Sequence, residues 1–207
     1  MTICAEPSPW PAVGTIAALS LAIAPIACGD DEDEGSARSS DTAAEEGTQL
    51  GLNGKHSVLT FDKGAVAVLQ EKKVKVAPIG PAAPNGGGIQ FPITGGVVNS
   101  ETLAGSIAPS GGLKLSVGGE TLEVTNFVAN TKAGVLTATA GAAEIPLLAL
   151  DFTGLKKSTK GGAIVASGIK ATLTDYAASA MNGILGVTFF EEGLALGEIT
   201  VTATAGS

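Results

Sequence analysis

The chain has 207 residues, 20 acidic and 12 basic, with one histidine, two cysteines and a formal charge of −8. One histidine and two cysteines cannot supply the ligand spacings of a Cys/His metal site, and they leave few groups able to carry a proton near neutrality. Nucleic acid is not an expected partner either: the single arginine, Arg38, lies in an acidic stretch, and from Gly51 onward 11 acids balance 11 lysines.

Sixteen uncharged residues, Ala12 to Ala27, come first and end at Cys28. The run has the length of a signal-peptide apolar region and falls short of the roughly 20 residues that a membrane-spanning helix needs. Pro25-Ile26-Ala27-Cys28 resembles a bacterial lipobox, in which the cysteine thiol receives a diacylglycerol and becomes the mature N-terminus. Two features depart from that pattern. Pro25 stands where an aliphatic residue is usual, and Met1–Pro11 contains Glu6 but no Lys or Arg. The expected organisation is a signal peptide over 1–27, lipidation at Cys28, and a tether over 28–50. Simple secretion after ordinary cleavage is the alternative. The tether contains Asp30, Asp31, Glu32, Asp33, Glu34, Asp41, Glu45 and Glu46 against Arg38. It has too little apolar surface to offset the entropy of ordering it, and its like charges repel. Both cysteines, Cys4 and Cys28, precede residue 51, so the domain over 51–207 must be stabilised by its core, without disulfides.

From Gly51 the sequence alternates β-rich runs with glycine punctuation. The predicted strands are His56–Phe61, Val74–Ile79, Ile89–Ile93, Gly105–Ala108, Leu113–Val117, Leu122–Ala129, Val135–Ala140, Ile145–Phe152, Ile164–Leu173 and Glu198–Thr204. Glycine groups such as Gly86-Gly87-Gly88, Gly95-Gly96 and Gly118-Gly119 read as tight turns between them. Leu113-Lys-Leu-Ser-Val117 and Leu136-Thr-Ala-Thr-Ala140 alternate apolar and polar residues, giving one face to a core and one to water. Two Ala-rich segments, Asp62–Lys72 and Asp175–Asn182, open with capping residues and predict short helices. Each follows a similar strand, which suggests a weak internal repeat. The expected fold is all-β: an antiparallel β-sandwich or partly closed barrel of about ten strands with two short helices.

The segments Gly95–Val117, Leu122–Ala129, Val135–Ala138 and Ile169–Thr174 share a pattern of structural glycines, alternating apolar residues and a closing A-T-L-T. Over about Gly87 to Thr204 this resembles the haem-transport-associated (HtaA-type) domains of exported actinobacterial proteins. The resemblance implies a β-fold and haem as a ligand, captured in that family through a tyrosine in the N-terminal part set among aromatics, with a histidine nearby. In this chain the only tyrosine, Tyr176, comes late, the only histidine, His56, comes early, and Trp10 lies outside the domain. The family's iron ligand therefore does not transfer residue by residue.

Tyr176 and His56 are the candidate ligand-binding residues. Each also has a plain structural reading: Tyr176 packs its ring at the start of a helix, and His56 is a solvated strand residue. Glu191-Glu192, adjacent on a strand, would point to opposite faces and share no site. No nucleophile elbow and no phosphate loop is present. Lys72, Lys73 and Lys75, and Lys156, Lys157 and Lys160, read either as contacts to wall polymers or lipid headgroups, or as edge-strand protection. The apolar run Met181–Phe190 reads as helix end and core loop, or as the lining of a pocket for an apolar ligand. The expected protein is not an enzyme and has no resident cofactor or metal. It is a cell-envelope lipoprotein that serves as a surface binding or structural module, with the membrane as partner through its anchor. The alternative is a carrier for haem or another small hydrophobic ligand, and the oligomeric state is left open.

Overall fold

A computed structural model describes residues 47–206. The predicted signal peptide, Cys28 and the tether up to residue 46 lie outside the described residues. Twelve strands and two helices follow in the order β1 (Gln49–Phe61), α1 (Lys63–Glu71), β2 (Lys75–Ile79), β3 (Ala83–Asn85), β4 (Gly88–Asn99), β5 (Gly105–Pro109), β6 (Gly112–Val117), β7 (Glu120–Asn130), β8 (Val135–Ala140), β9 (Ala143–Asp151), β10 (Lys156–Lys160), β11 (Ala163–Leu173), α2 (Asp175–Leu185) and β12 (Ala195–Ala205).

Every pairing is antiparallel. The ladder runs β7-β5-β4-β1-β12-β11-β9-β8 and closes because β8 pairs back onto β7. This is a closed barrel of eight strands; β2 and β6 extend from β7, β3 lies on β4, and β10 lies on β11. The all-β expectation holds, and the sandwich alternative is corrected to a barrel. The physical reason is strand length combined with bulging. β1, β4, β7, β11 and β12 each run 11 to 13 residues, and each takes part in a pairing whose register shifts. A bulge increases local twist and bends its strand, so one sheet coils until its edges meet. Closure then removes edges that a sandwich would have to protect.

Glycines read as turns also do other work. Gly95-Gly96 lies inside β4, not between strands. At Gly96, φ is +148° and a Cβ would fall 2.5 Å from the Ser106 carbonyl oxygen, so only glycine lets β4 and β5 approach there.

The helices form as their caps dictate. The Asp62 carboxylate accepts the Gly64 N–H at 2.7 Å, and the Thr174 hydroxyl accepts the Ala177 N–H at 3.2 Å. α2 ends at Gly186 in the left-handed conformation, φ +63°. It buries Ala177, Ala178, Met181 and Leu185 against β7 and β9. β1 and β11, which precede α1 and α2, are the two neighbours of β12, so the paired strand-helix units flank one common strand. No helix among the described residues is long and apolar enough to cross a membrane.

Candidate ligand site inside the barrel

Which side chains enter the barrel is set by the bulges. In β1, Leu52 is buried; counting onward by twos would bring in Gly54 and His56. Instead the β1–β12 register shifts between Asn53 and Lys55, with Gly54 at φ +72° and Lys55 at φ +66°. The extra residue changes the phase, so Ser57, Leu59 and Phe61 face inward and His56 faces out, half-buried. β7 repeats the device. Leu122 and Val124 are buried before the shift between Thr125 and Val128, and Phe127 and Ala129 after it. In β11 the shift between Ala166 and Ile169 does the same.

These inward residues line a partly open cavity of about 300 Å³. Its wall is aliphatic and aromatic, including Leu59, Leu136, Ile169 and the edge-to-face pair Phe91–Phe127, whose centroids are 5.3 Å apart. Met181 of α2 and Phe190, from the run singled out as a possible pocket lining, both reach it. The lining includes no Lys, Arg, Asp, Glu or His. Its polar members are three hydroxyl residues: Ser57, Thr102 and Thr131.

The loop from Asn99 to Gly105 covers one end. Asn99 is fully buried; its Oδ1 accepts the N–H groups of Glu101 at 2.8 Å and Thr102 at 2.9 Å. Thr131 donates to the Leu103 carbonyl at 2.7 Å and accepts the Gly105 N–H at 2.8 Å. Between these ties Leu103 sits at φ +59°, a conformation costly for a leucine, and its side chain lines the cavity. Thr102 Oγ1 accepts the Ala104 N–H at 3.2 Å. Two of the three hydroxyls are thus engaged by backbone. Ser57, 6% exposed and set between Phe91 and Val201 of its neighbouring strands, has a hydroxyl that makes no hydrogen bond to another described residue and is reachable from the cavity.

No family model and no curated protein matches the chain. Among solved structures it is similar to the C-terminal domain of HtaA from Corynebacterium glutamicum, with a TM-score of 0.59 and 20% identity over 76% of this chain and 99% of that one. The chain has an HtaA-like fold. The heme-binding protein HtaB of the same organism is more distant, with a TM-score of 0.48 and 13% identity over 77% of this chain and 96% of that one.

The HtaA-like barrel does not bring the two predicted ligand residues together. Tyr176 stands 68% exposed at the start of α2, on the β7–β9 side, whereas His56 is on β1 between β4 and β12. Neither lines the cavity. For haem inside the barrel, the one side chain of the lining able to ligate iron is the Met181 thioether, and no cation meets the propionates. The cavity's donor set does not fit haem. Glu191 and Glu192 are exposed in the loop before β12, not on a strand as expected. Among the described residues no three His, Cys, Asp or Glu side chains gather where they could hold a metal ion. Lys156, Lys157 and Lys160 fall on β10, an exposed strand paired only with β11, where lysines guard a free edge. The sequence pattern does not single out Ser57. Its signal was an isolated hydroxyl among the apolar residues of a strand, readable only with the position of the bulge.

Proposed function

We propose that this protein is a non-catalytic binding module that carries a small hydrophobic ligand inside its barrel. It acts outside the cytoplasm, tethered to the membrane through lipidated Cys28. The observation that carries the reading is the apolar cavity of about 300 Å³. Interiors are otherwise packed to crystal density. At ~24 cal/mol per Å³, a sealed empty void of that size would cost roughly 7 kcal/mol, comparable with the whole stability of a domain, and a partly open one less. A purely structural module gains nothing from such a void. A carrier recovers the cost when the ligand fills it. Eight-stranded barrels have the diameter at which an interior either packs shut or holds one small ligand.

The experiment is a titration of the full chain with N-phenyl-1-naphthylamine, a neutral dye that fluoresces in apolar surroundings. Saturable 1:1 enhancement is expected, abolished by Ala129→Phe, which places a ring in the cavity. Absence of enhancement in the parent chain overturns the carrier reading. Haem is the ligand that the sequence resemblance implies, and hemin is titrated in parallel. A Soret shift that is lost with Tyr176→Ala or His56→Ala supports an external haem site; a shift indifferent to both removes those two residues from the reading. Mass spectrometry of the native N-terminus tests the anchor. A diacylglyceryl-modified Cys28 is expected, and cleavage elsewhere refutes it.

A further inference from the structure

Resting on the carrier reading, we infer that the cavity selects a neutral chain-like molecule with one hydrogen-bonding oxygen, such as a medium-chain alcohol or ketone, and that Ser57 is the residue that recognises it. The argument begins with what the wall lacks. With no cation in the lining, a carboxylate or phosphate would enter without a counter-charge, and a buried unpaired anion is strongly disfavoured. A sugar or polyol is excluded on the same grounds, because each of its hydroxyls would need a partner and the wall offers too few.

What the wall does contain is a single unengaged hydroxyl. Thr102 and Thr131 are tied to the backbone of the loop from Asn99 to Gly105. Ser57 is buried on the inward face of β1. Alanine would fit that position and remove the polar atom. The hydroxyl is reachable from the cavity and has no hydrogen bond to the protein, so an apolar ligand that covers it would leave it unsatisfied and a ligand oxygen would not. The volume sets the size. At the ~30 Å³ that a water occupies in the liquid, the cavity holds on the order of ten water-sized groups, enough for an eight-carbon chain with its oxygen.

The test displaces N-phenyl-1-naphthylamine from the full chain with 1-octanol, octanoate and octane at pH 8. Octanol is expected to compete at concentrations at least about tenfold below octanoate. In Ser57→Ala, octanol should weaken by roughly 2- to 10-fold, the range for one hydrogen bond. Octane should compete unchanged, which also reports an intact barrel. Ser57→Cys, of similar shape with a weaker donor, must show the same selective loss should the alanine variant fail to fold. Octanoate matching octanol, or octanol and octane weakening together in the variants, overturns the inference while leaving the carrier reading in place. A parent chain that takes up no dye fails the carrier reading itself.

Discussion

Replacing Asn99 by alanine tests whether the loop over the barrel end is held by that one side chain. Asn99 is fully buried, and its Oδ1 accepts two backbone N–H groups at 2.8 and 2.9 Å. Each such bond contributes about 1 kcal/mol net, and an orphaned buried N–H adds a further 1–3 kcal/mol. Glu101 and Thr102 are themselves exposed, so their freed N–H groups can turn to water, which keeps the penalty toward the low end. The expected loss is ~2–3 kcal/mol, or ~4–10 °C in Tm for a domain of this size. A second effect follows from Leu103. Its left-handed conformation costs about 1–2 kcal/mol and is imposed by the turn that Asn99 and Thr131 close. Without Asn99 the turn relaxes, Leu103 leaves the cavity end, and dye should enter and leave faster. Denaturant unfolding gives the first quantity, and stopped-flow fluorescence with N-phenyl-1-naphthylamine gives the second. A stability within ~0.5 kcal/mol of the parent, the range of an ordinary surface substitution, would refute the assigned role of the side chain. Destabilisation with unchanged dye kinetics would refute the link between the loop and the cavity.

Leu122→Ala removes a nearly fully buried side chain from β7 and should cost ~2–5 kcal/mol by chemical denaturation. Thr174→Ala deletes the α2 cap and the hydroxyl's bond to the Pro146 carbonyl; a loss of ~1–2 kcal/mol is expected, with Thr174→Ser recovering most of it. The Asp151 carboxyl is held below its ordinary value of 3.8, first by the Thr153 backbone N–H, then by the Thr153 hydroxyl, with Lys170 assisting. A depressed carboxyl pKa stabilises the fold above the unfolded value, and that contribution is lost as pH falls through the lower, folded value. NMR titration should find Asp151 among the last carboxyls to protonate, and Asp151→Asn should narrow the stability difference between pH 6 and pH 2.

The sequence pattern revealed most strands, because alternation and glycine punctuation are local properties. The predicted strand Val135–Ala140 coincides with β8 at both ends. The helices were legible from Asp62 and the Thr174-Asp175 pair, whose caps fix where each begins. β3 is absent from the predicted strands, and β10 is anticipated only through the reading of its lysines as edge-strand protection. Ala83-Pro-Asn85 and Lys156-Lys-Ser-Thr-Lys160 have no apolar face and become strands only because a neighbour offers an edge. Closure was not legible, since it depends on β7 meeting β8 and β5 together and not on any one segment. The candidate site was half legible. Met181 and Phe190 were flagged as possible pocket lining and do line the cavity. His56 and Tyr176 are suggested by residue type and by the family resemblance, neither of which locates a side chain, and neither residue lines the cavity.

The bulge in β1 sets which of its side chains face the interior, and it can be tested directly. Along β12 Ile199, Val201, Ala203 and Ala205 alternate on one face, opposite Leu59, Ser57, Lys55 and Leu52 in turn, and the first three line the cavity. Ala203 is buried, yet its partner Lys55 is exposed. Only the extra residue Gly54, with both Gly54 and Lys55 at positive φ, lets the lysine escape a slot that strand geometry assigns to the interior. Deleting Gly54 restores a regular ladder without moving Leu52 or Ser57 from their partners, and it drives Lys55 inward beside Ala203. The long side chain can reach the barrel end with its ammonium group, so the cost should be ~2–4 kcal/mol and not complete unfolding. Adding Lys55→Leu to the deletion should recover most of that loss, because an apolar chain now fills the same inward slot. Urea denaturation of the three proteins decides the matter. A deletion variant as stable as the parent would mean that the bulge is not what keeps the lysine out. A double variant no better than the deletion would mean that backbone register, and not the buried charge, carries the cost.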